Sequence, residues 1–289
     1  MTTPSAKPFV LAAGAFSGVT RRKFLNGTAT LAGGVTAGTL LPVLGSSECH
    51  AQAAAQKAVA ATPTSFDPRT SSLNYLSPVQ NQDDPRPCNS CTAYAVVASV
   101  EATHNKKKNL PGTQGPDLDE ADLFARAGPA AGCDATHWWP KGALKYCETP
   151  GLKVQGSSQR IPIASSLSLL KANVNDTQAA MKDWISSKGP VVAIMVQYDD
   201  FYDFGRDWSA SQGTNPNPNV YSPGKKPGQI WGGHAISIVG YTGNDHWICK
   251  NSWGKAWNGD GYVRIAQGKP GRFAEAYLDR IDIWGVTVA

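Results

Sequence analysis

The pattern of apolar and polar positions changes character at about residue 62. Before it lies a weakly apolar stretch, roughly residues 25–44, which several glycines and threonines interrupt. Such a stretch is too weakly apolar to form a stable membrane helix. After residue 62 there is no internal repeat and no shift in composition. We therefore expect residues 62–289 to form one folded unit.

Helical periodicity is concentrated in the first half of this unit. Three helices are predicted, over Cys91–Asn105, Pro140–Cys147 and Thr177–Ser187. The lysines at 106–108 follow the first of these, at the negative end of the helix dipole, where positive charge is favourable. We interpret these lysines as a solvated surface rather than a binding site.

The second half of the unit has short apolar runs of strand length, separated by glycine, asparagine and aspartate. Four strands are predicted, over Val191–Gln197, His234–Tyr241, His246–Lys250 and Gly261–Ile265. The acidic residues Asp199, Asp200 and Asp203 are interpreted as a turn in a loop. Helices that are followed by an antiparallel sheet indicate an α+β fold of two lobes.

Composition and charge argue against two classes of protein. The 289 residues include 9 Trp, 9 Tyr and 8 Phe, which is enough to build a core and excludes a wholly disordered chain. The net charge is +5, but residues 1–53 contribute four basic side chains and one acidic one. The remainder of the chain therefore has a net charge of only +2 and offers no basic face, so we expect no nucleic-acid partner.

The N-terminal segment has the features of an export signal. Residues 20–25 read TRRKFL, precede the weakly apolar stretch, and resemble a signal for the twin-arginine export route. Ala51-Gln52-Ala53 supplies small residues at a cleavage site. We expect a signal peptide over residues 1–53 and a linker over residues 54–61. The mature protein would be periplasmic or secreted by a bacterium, without a membrane anchor. An alanine- and glycine-rich leader with two chance arginines is the alternative.

Cys91 is the first candidate for chemistry, because it stands in the first turn of a predicted helix. The helix dipole and the free backbone N–H groups there favour the thiolate, which is the reactive form. Cys88 lies three positions earlier, and such a pair could instead be a redox pair or half of a zinc site. A zinc site would need a second close pair, whereas Cys133, Cys147 and Cys249 stand apart along the chain. A buried structural cysteine is the third alternative.

Two segments further along the chain supply a histidine and an asparagine. Gly233-His234-Ala235 begins a predicted strand, and Lys250-Asn251-Ser252-Trp253-Gly254 ends the next one. A lone histidine before a strand is more often structural than catalytic, but here it belongs to an ordered set of Cys, His and Asn. Together with Cys88-Asn89-Ser90-Cys91, these segments resemble the papain-like cysteine peptidases. The resemblance covers nearly all of residues 62–289.

The resemblance implies a two-lobed papain-like fold with the active-site cleft between the lobes. A helical lobe would span about residues 75–155, and an antiparallel, β-barrel-like lobe about 156–280, with crossing terminal arms. Cys91 would be the nucleophile and His234 its base, together forming a thiolate–imidazolium pair. Asn251 would hold the orientation of the imidazole ring.

Further roles follow from the same resemblance. The Gln82 side-chain amide and the Cys91 backbone N–H would stabilise the oxyanion, and Trp253 would cover the His–Asn hydrogen bond. Cys88 would form a disulfide bond with Cys133. The substrate cleft would include Asn89, Ser90, Ala135, Thr136 and Gly233.

The sequence also departs from the family pattern. Gln82 lies nine positions before Cys91, farther than is usual, because Asp83–Pro87 is inserted. An ordinary loop residue is therefore the alternative role for Gln82. Ala135-Thr136 replaces the usual glycine pair that follows the bridging cysteine. Residues 54–61 leave no room for the long inhibitory pro-segment of the family.

We therefore expect an exported thiol-dependent peptidase that hydrolyses peptide bonds of peptides or proteins through a thioester acyl-enzyme. We expect a monomer that needs no cofactor and no metal ion. A papain-fold amidase or acyl transferase, acting on cell-wall or small amide substrates, is the alternative because it shares this chemistry. A non-catalytic binding module is the second alternative, although such a module would be expected to have lost a catalytic residue. Cys147 and Cys249 are expected to be buried free thiols.

Overall fold

The structure is a computed structural model that describes residues 61–85, 88–134, 138–222, 230–268 and 281–289. Its helices are α1 (Cys91–Lys108), α2 (Glu120–Ala127), α3 (Pro140–Glu148), α4 (Val174–Ser187) and α5 (Asp199–Gln212). Its strands are β1 (Ser65–Phe66), β2 (Leu152–Lys153), β3 (Arg160–Ile161), β4 (Ile163–Ser168), β5 (Val191–Tyr198), β6 (Val220–Tyr221), β7 (Ile230–Thr242), β8 (His246–Lys250), β9 (Tyr262–Ala266) and β10 (Asp282–Val288). In these ranges, no helix has the length and apolar character needed to cross a membrane. The expected signal peptide lies outside the described residues.

One large sheet organises the described chain. Its strands lie in the order β4, β10, β5, β7, β8, β9 and β6, and the short β1 also pairs with β7. Neighbouring strands are antiparallel, except that β6 and β9 are parallel. The pairing of β5 with β7 places Met195 opposite His234. The central strands therefore fix the position of His234 in the sheet.

Strand β5 is buried on both faces of the sheet, which explains its continuous apolar run. Val191, Ala193 and Met195 pack into a cluster with side chains of α4 and α5. Val192 and Ile194 pack on the opposite face, into a cluster with side chains of α1, α2 and α3. Helix α1 packs against β7 and β10 on that second face. This packing brings the start of α1 to the strand that carries His234.

The three predicted helices and the four predicted strands are confirmed, with small differences at their ends. Strand β8 has the predicted bounds, and α1 continues three residues further than predicted. Helix α4 begins three residues earlier than predicted, at Val174. The Asn173 side chain explains this start, because it accepts the Asp176 backbone N–H at 2.9 Å as an N-cap.

Strands β4 and β10 were not predicted from the sequence. Strand β4 is rich in serine and, within the described residues, pairs only with β10. A strand at the edge of a sheet needs fewer apolar residues, because one of its sides can remain in water. Strand β4 was therefore not predicted, because its sequence is too polar to form an apolar run.

The interpretation of the acidic segment after β5 as a loop was wrong. Asp199, Asp200 and Asp203 all lie in α5. The first two occupy its first turn, where the helix dipole favours negative charge. The opposite side of this helix carries Phe201, which is fully buried. Packing of that side against the sheet explains a helix where local composition suggested a turn.

The interpretation of the lysines at 106–108 as a solvated surface was wrong for Lys106. Its Nζ donates to the backbone carbonyls of Ile185 and Ser186, at 3.3 and 2.6 Å, in the last turn of α4. Burial lowers the pKa of Lys106 to about 8. This lysine therefore caps α4 instead of facing only water.

The expected disulfide bond between Cys88 and Cys133 is confirmed, with the two Cα atoms 4.4 Å apart. The Asn89 backbone N–H donates to the Cys133 carbonyl at 3.3 Å in the same region. The bond therefore ties the loop before α1 to a distant part of the chain. Cys147 and Cys249 are buried free thiols, as expected.

Loss of this bond should destabilise the fold. The bond spans 45 positions of sequence, so the chain-entropy argument predicts that Cys88→Ser lowers the free energy of unfolding by about 3–4 kcal/mol. Urea unfolding of both proteins without reductant measures the difference. Reductant should lower the midpoint of the wild type and leave that of Cys88→Ser unchanged. Equal midpoints without reductant would show that the bond does not stabilise the fold.

Candidate active site

Cys91 is the first residue of α1, and Ser90 occupies the N-cap position. Because α1 packs against β7, the cysteine sulfur meets the strand that carries His234. The Ala235 backbone N–H donates to the Cys91 Sγ at 3.5 Å. The cysteine is half-buried and has a free thiol. A potential nucleophile therefore lies directly beside the residue that follows His234.

His234 and Asn251 form the second part of the site. His234 is 2% exposed, and its Nε2 is 2.9 Å from the Asn251 Oδ1. The same oxygen accepts the Ser252 backbone N–H at 2.9 Å, which fixes the orientation of the carboxamide. Because Oδ1 can only accept, the ring donates through Nε2 and keeps Nδ1 for proton exchange.

An aromatic cluster covers the hydrogen bond between this imidazole and the carboxamide. The Trp253 ring centroid is 4.6 Å from that of His234, with the ring planes inclined by 30°. The ring centroids of Phe201 and Tyr202 of α5 each lie 5.5 Å from that of Trp253, and the Trp257 centroid lies 5.0 Å from it. This cluster excludes water from one side of the imidazole, which strengthens its hydrogen bond.

Phe201 and Tyr202 were not predicted as site residues, because α5 was not predicted. A signal was present, since Phe201, Gly205 and Trp208 recur at helical spacing. Gly205 has a specific packing role, because a Cβ atom there would overlap the Trp257 indole. Glycine therefore allows α5 to approach the aromatic cluster closely.

Gln82 reaches the site despite the insertion that separates it from Cys91. Its Oε1 accepts from the Ser252 Oγ at 2.7 Å, and its Nε2 donates to the Cys88 carbonyl at 2.9 Å. Its backbone N–H donates to the Ser252 carbonyl at 2.8 Å. One Nε2 hydrogen is therefore engaged, and the second hydrogen is available to another acceptor.

The structure describes three of the five residues that were expected to line a substrate cleft. Asn89 is exposed, whereas Ser90 is buried. Gly233 is exposed, and a Cβ atom there would meet nothing closer than 3.7 Å. Space is therefore open beside Gly233. Ala135 and Thr136 lie outside the described residues.

Burial opposes the charged forms of both Cys91 and His234. It raises the pKa of the Cys91 thiol, although the backbone N–H groups of Ala235 and Thr92 act in the opposite direction. It lowers the pKa of His234 to about 4, although the hydrogen bond with Asn251 acts in the opposite direction. The helix dipole and the backbone N–H groups at the start of α1 are therefore not sufficient to ionise the thiol. A thiolate and an imidazolium can form here only together, by proton transfer from sulfur to ring.

Potential metal-ligating side chains occur in the described part of the chain. No three His, Cys, Asp or Glu side chains are grouped there in a way that could hold a metal ion. The described side chains offer a thiol next to the strand that carries His234, with the side-chain amide of Gln82 held by Ser252 and Cys88.

Comparison with protein families identifies the class of this chain. The family described as papain family cysteine protease matches residues 62–277. The chain belongs to this family. The family match therefore covers the helix that begins with Cys91 and the strands that carry His234 and precede Asn251.

Several cysteine proteinases are related to the chain in sequence. Fruit bromelain from Ananas comosus is 27% identical over 228 residues, which cover 73% of this chain and 56% of the relative. A gut-specific cysteine proteinase from Caenorhabditis elegans is 26% identical over 249 residues, covering 73% and 70%. Pro-cathepsin H from Mus musculus is 27% identical over 219 residues, covering 72% and 61%. The chain thus spans between about half and seven-tenths of these relatives.

Solved papain-family structures share the fold. The Carica candamarcensis cysteine protease CMS1MS2, in complex with E-64, has a TM-score of 0.57 and 26% identity, covering 78% of this chain and 99% of that chain. Trypanosoma congolense procathepsin B S9 has a TM-score of 0.59 and 18% identity, covering 79% and 78%. The predicted fold class, a two-lobed α+β papain fold, is confirmed.

Proposed function

We propose that the protein is a thiol-dependent peptidase that cleaves peptide bonds through a thioester on Cys91. One observation supports this most strongly. The Cys91 sulfur lies at the start of α1, within hydrogen-bond distance of the residue after His234, and the His234 ring is bonded to Asn251. Hydrolysis of a set of peptides by the purified protein tests the proposal. Turnover of small amides without turnover of peptides would instead favour an amidase or acyl transferase.

The reaction begins when Cys91 transfers its proton to His234 and the thiolate attacks the substrate carbonyl carbon. The Cys91 backbone N–H and the free Nε2 hydrogen of Gln82 donate to the oxyanion that forms. The imidazolium then gives its proton to the leaving amine, and the thioester remains. A water molecule that His234 deprotonates attacks the thioester, which releases the acid and restores the thiol.

The neighbouring residues support this proton transfer. Asn251 accepts from Nε2 and so keeps Nδ1 directed to the proton that it exchanges. Trp253 shields this bond from water, so that the bond holds the ring more firmly. Asn89, Ser90 and Gly233, with Ala135 and Thr136, line the substrate cleft in this proposal. The open space beside Gly233 supports its place there.

The alkylation of Cys91 should depend on His234 in a defined way. In the wild type, Cys91 should react with iodoacetamide near pH 6, because the imidazole takes up the thiol proton. His234→Ala removes that acceptor, and burial then holds the pKa of the thiol above its usual value. With an ordinary thiol pKa of about 8.5, the rate at pH 6 should fall by roughly 100-fold or more. Rates are measured by mass spectrometry of the Cys91 peptide. Equal rates in both proteins would contradict the pair.

We also propose that the protein is exported by the twin-arginine route and is cleaved after Ala53. Arg21 and Arg22 support this proposal, because they directly precede the weakly apolar stretch. Small residues at the expected cleavage site support it as well. The disulfide bond between Cys88 and Cys133 suits an oxidising compartment.

The paired substitution Arg21→Lys and Arg22→Lys should block export. A receptor reads the two arginines, so the charge that lysine retains should not suffice. Cell fractionation should find the variant in the cytoplasm with its leader attached, and the wild type outside it and shortened. Lys7→Gln, which lies outside the motif, should leave export unchanged. Normal export of the double lysine variant would contradict the twin-arginine assignment.

A further inference from the structure

A small cavity lies directly behind the candidate active site. Helix α1, the start of α2, and the strands β7 and β8 surround it. Its wall includes Asn251, the Ser252 that holds Gln82, and the Ala235 that donates to the cysteine sulfur. Glu120 also lines it. The cavity therefore touches residues that position each of the proposed catalytic groups.

Asn251 lines this cavity, and its carboxamide has an unsatisfied donor. Its Oδ1 faces His234 and the Ser252 backbone N–H, so its Nδ2 points the other way. Asn251 is 3% exposed, and its Nδ2 has no hydrogen-bond partner among the described residues. A buried donor is commonly satisfied by a bound water molecule where further polar partners are close, and the side chains of Glu120, Lys250 and Ser252 line the same cavity.

Three ionisable side chains line the cavity, those of Tyr94, Glu120 and Lys250, and others lie close to them. Lys250, 6% exposed, lines it and donates through Nζ to the Ser77 Oγ at 2.9 Å. Glu101 of α1 is buried and accepts the Leu118 backbone N–H at 2.7 Å. Glu120 interacts electrostatically with Glu101 of α1, with Asp117 before α2 and with Lys250 of β8. Tyr94 of α1 interacts in the same way with Glu120, and also with Asp83, Asp84 and Asp119.

Two of these groups titrate in the same pH range. Burial, together with the negative charge of Glu101, raises the pKa of Glu120 to about 8. Burial lowers the pKa of Lys250 to about 8, although Glu101 and Glu120 act in the opposite direction. The charge of each group also acts on the other, so the two groups titrate as a coupled pair. Above this pH Glu120 is a carboxylate, which accepts hydrogen bonds more strongly than a carboxylic acid.

We propose that Glu120 is a positioning residue of the hydrolytic site, joined to the Asn251 Nδ2 by a water molecule bound in this cavity. The proposal rests on the proposed thiol-peptidase function. An ionised Glu120 accepts from the water more strongly, and the water in turn polarises the Asn251 carboxamide. The Oδ1 then holds the Nε2 hydrogen more firmly and favours the imidazolium. Proton transfer from Cys91 to His234 therefore becomes easier as Glu120 loses its proton.

The test follows the alkylation of Cys91 by iodoacetamide between pH 5 and pH 10. This readout needs no peptide substrate, so it can fail or succeed independently of peptide hydrolysis. The wild type should already react near pH 6, and its rate should rise a second time, with a midpoint near pH 8. Glu120→Gln should lack this rise and react roughly three- to tenfold more slowly at pH 9. Asp117→Asn removes the same charge from an exposed neighbour and should keep the rise.

A second variant perturbs the water instead of the carboxyl group. Ala98 lines the cavity, and Ala98→Val would place two methyl groups there and exclude the water. This variant should lose the second rise while Glu120 remains. It also provides a test if Glu120→Gln does not fold.

Measurements of thermal stability distinguish a positioning role of Glu120 from a merely structural one. Because folding raises the pKa of Glu120 from 4.5 to about 8, the folded protein binds the extra proton between these values. The contribution of Glu120 to stability therefore falls as the pH rises through this window. Glu120→Gln cannot ionise, so its Tm at pH 8 should equal or exceed that of the wild type while its alkylation is slower. The proposal would be overturned if the pH profiles of Cys91 alkylation in Glu120→Gln and Ala98→Val superimposed on that of the wild type. A loss of Tm in Glu120→Gln that accompanies the slower alkylation would overturn it as well.

Discussion

Replacement of Cys91 by serine should abolish peptide hydrolysis. The serine hydroxyl is a far weaker acid than the thiol, so it does not form with His234 the anion that the thiol forms. Loss of a nucleophile in such a unit costs at least about 10⁴-fold in kcat. KM should change little, because serine and cysteine are similar in size. Initial rates on a peptide substrate measure the effect.

A matched control is available in the same protein. Cys147 lies in α3 as a buried free thiol, and Cys147→Ala should keep most of the activity if the variant remains folded. The comparison separates loss of the nucleophile from loss of any thiol. Substantial hydrolysis by Cys91→Ser, in a preparation free of wild type, would contradict the assignment of the nucleophile.

Gln82→Ala should have the next largest effect. The substitution removes the side-chain donor for the oxyanion and leaves the Cys91 backbone N–H in place. Removal of one such donor lowers kcat by roughly 10²–10³-fold, with little change in KM, because the donor acts mainly in the transition state. Steady-state kinetics on a peptide measure both constants.

Ser252→Ala is the control for this prediction. The Ser252 hydroxyl donates to the Gln82 Oε1 and so helps to orient the amide, but it does not itself reach the oxyanion. The Gln82 Nε2 would still be held by the Cys88 carbonyl. We therefore expect a smaller loss of kcat than in Gln82→Ala. A Gln82→Ala protein with the kcat of the wild type would show that another group donates to the oxyanion.

The sequence predicted the elements whose own apolar pattern is decisive. Strand β5 is buried on both faces and reads as an unbroken apolar run, and β8 was predicted with its observed bounds. Helix α5 was missed because its acidic residues were interpreted as a turn, while its buried Phe201 packs against Trp253 and Trp257 of a distant segment. A contact of that kind depends on tertiary structure and leaves only a weak local signal.

Part of the candidate site could likewise be predicted from the sequence, and part could not. Cys91, His234 and Asn251 could be named from their motifs, since the resemblance assigns each motif a role. The support of Gln82 by Ser252 and Cys88 depends on which loops meet, which spacing alone does not determine. The pKa of the Cys91 thiol also depends on the fold. The helix dipole could be predicted from the position of Cys91, whereas the stronger effect of burial could not.

The central claim is that Cys91 is the nucleophile of a thiol peptidase. The most direct measurement is to label the purified protein with a thiol-directed epoxide at pH 6 and to locate the adduct by peptide mapping. The account predicts one adduct, on Cys91, with complete loss of peptide hydrolysis and no adduct on the buried Cys147 or Cys249. An adduct on another cysteine, or hydrolysis that continues after Cys91 is fully labelled, would contradict it.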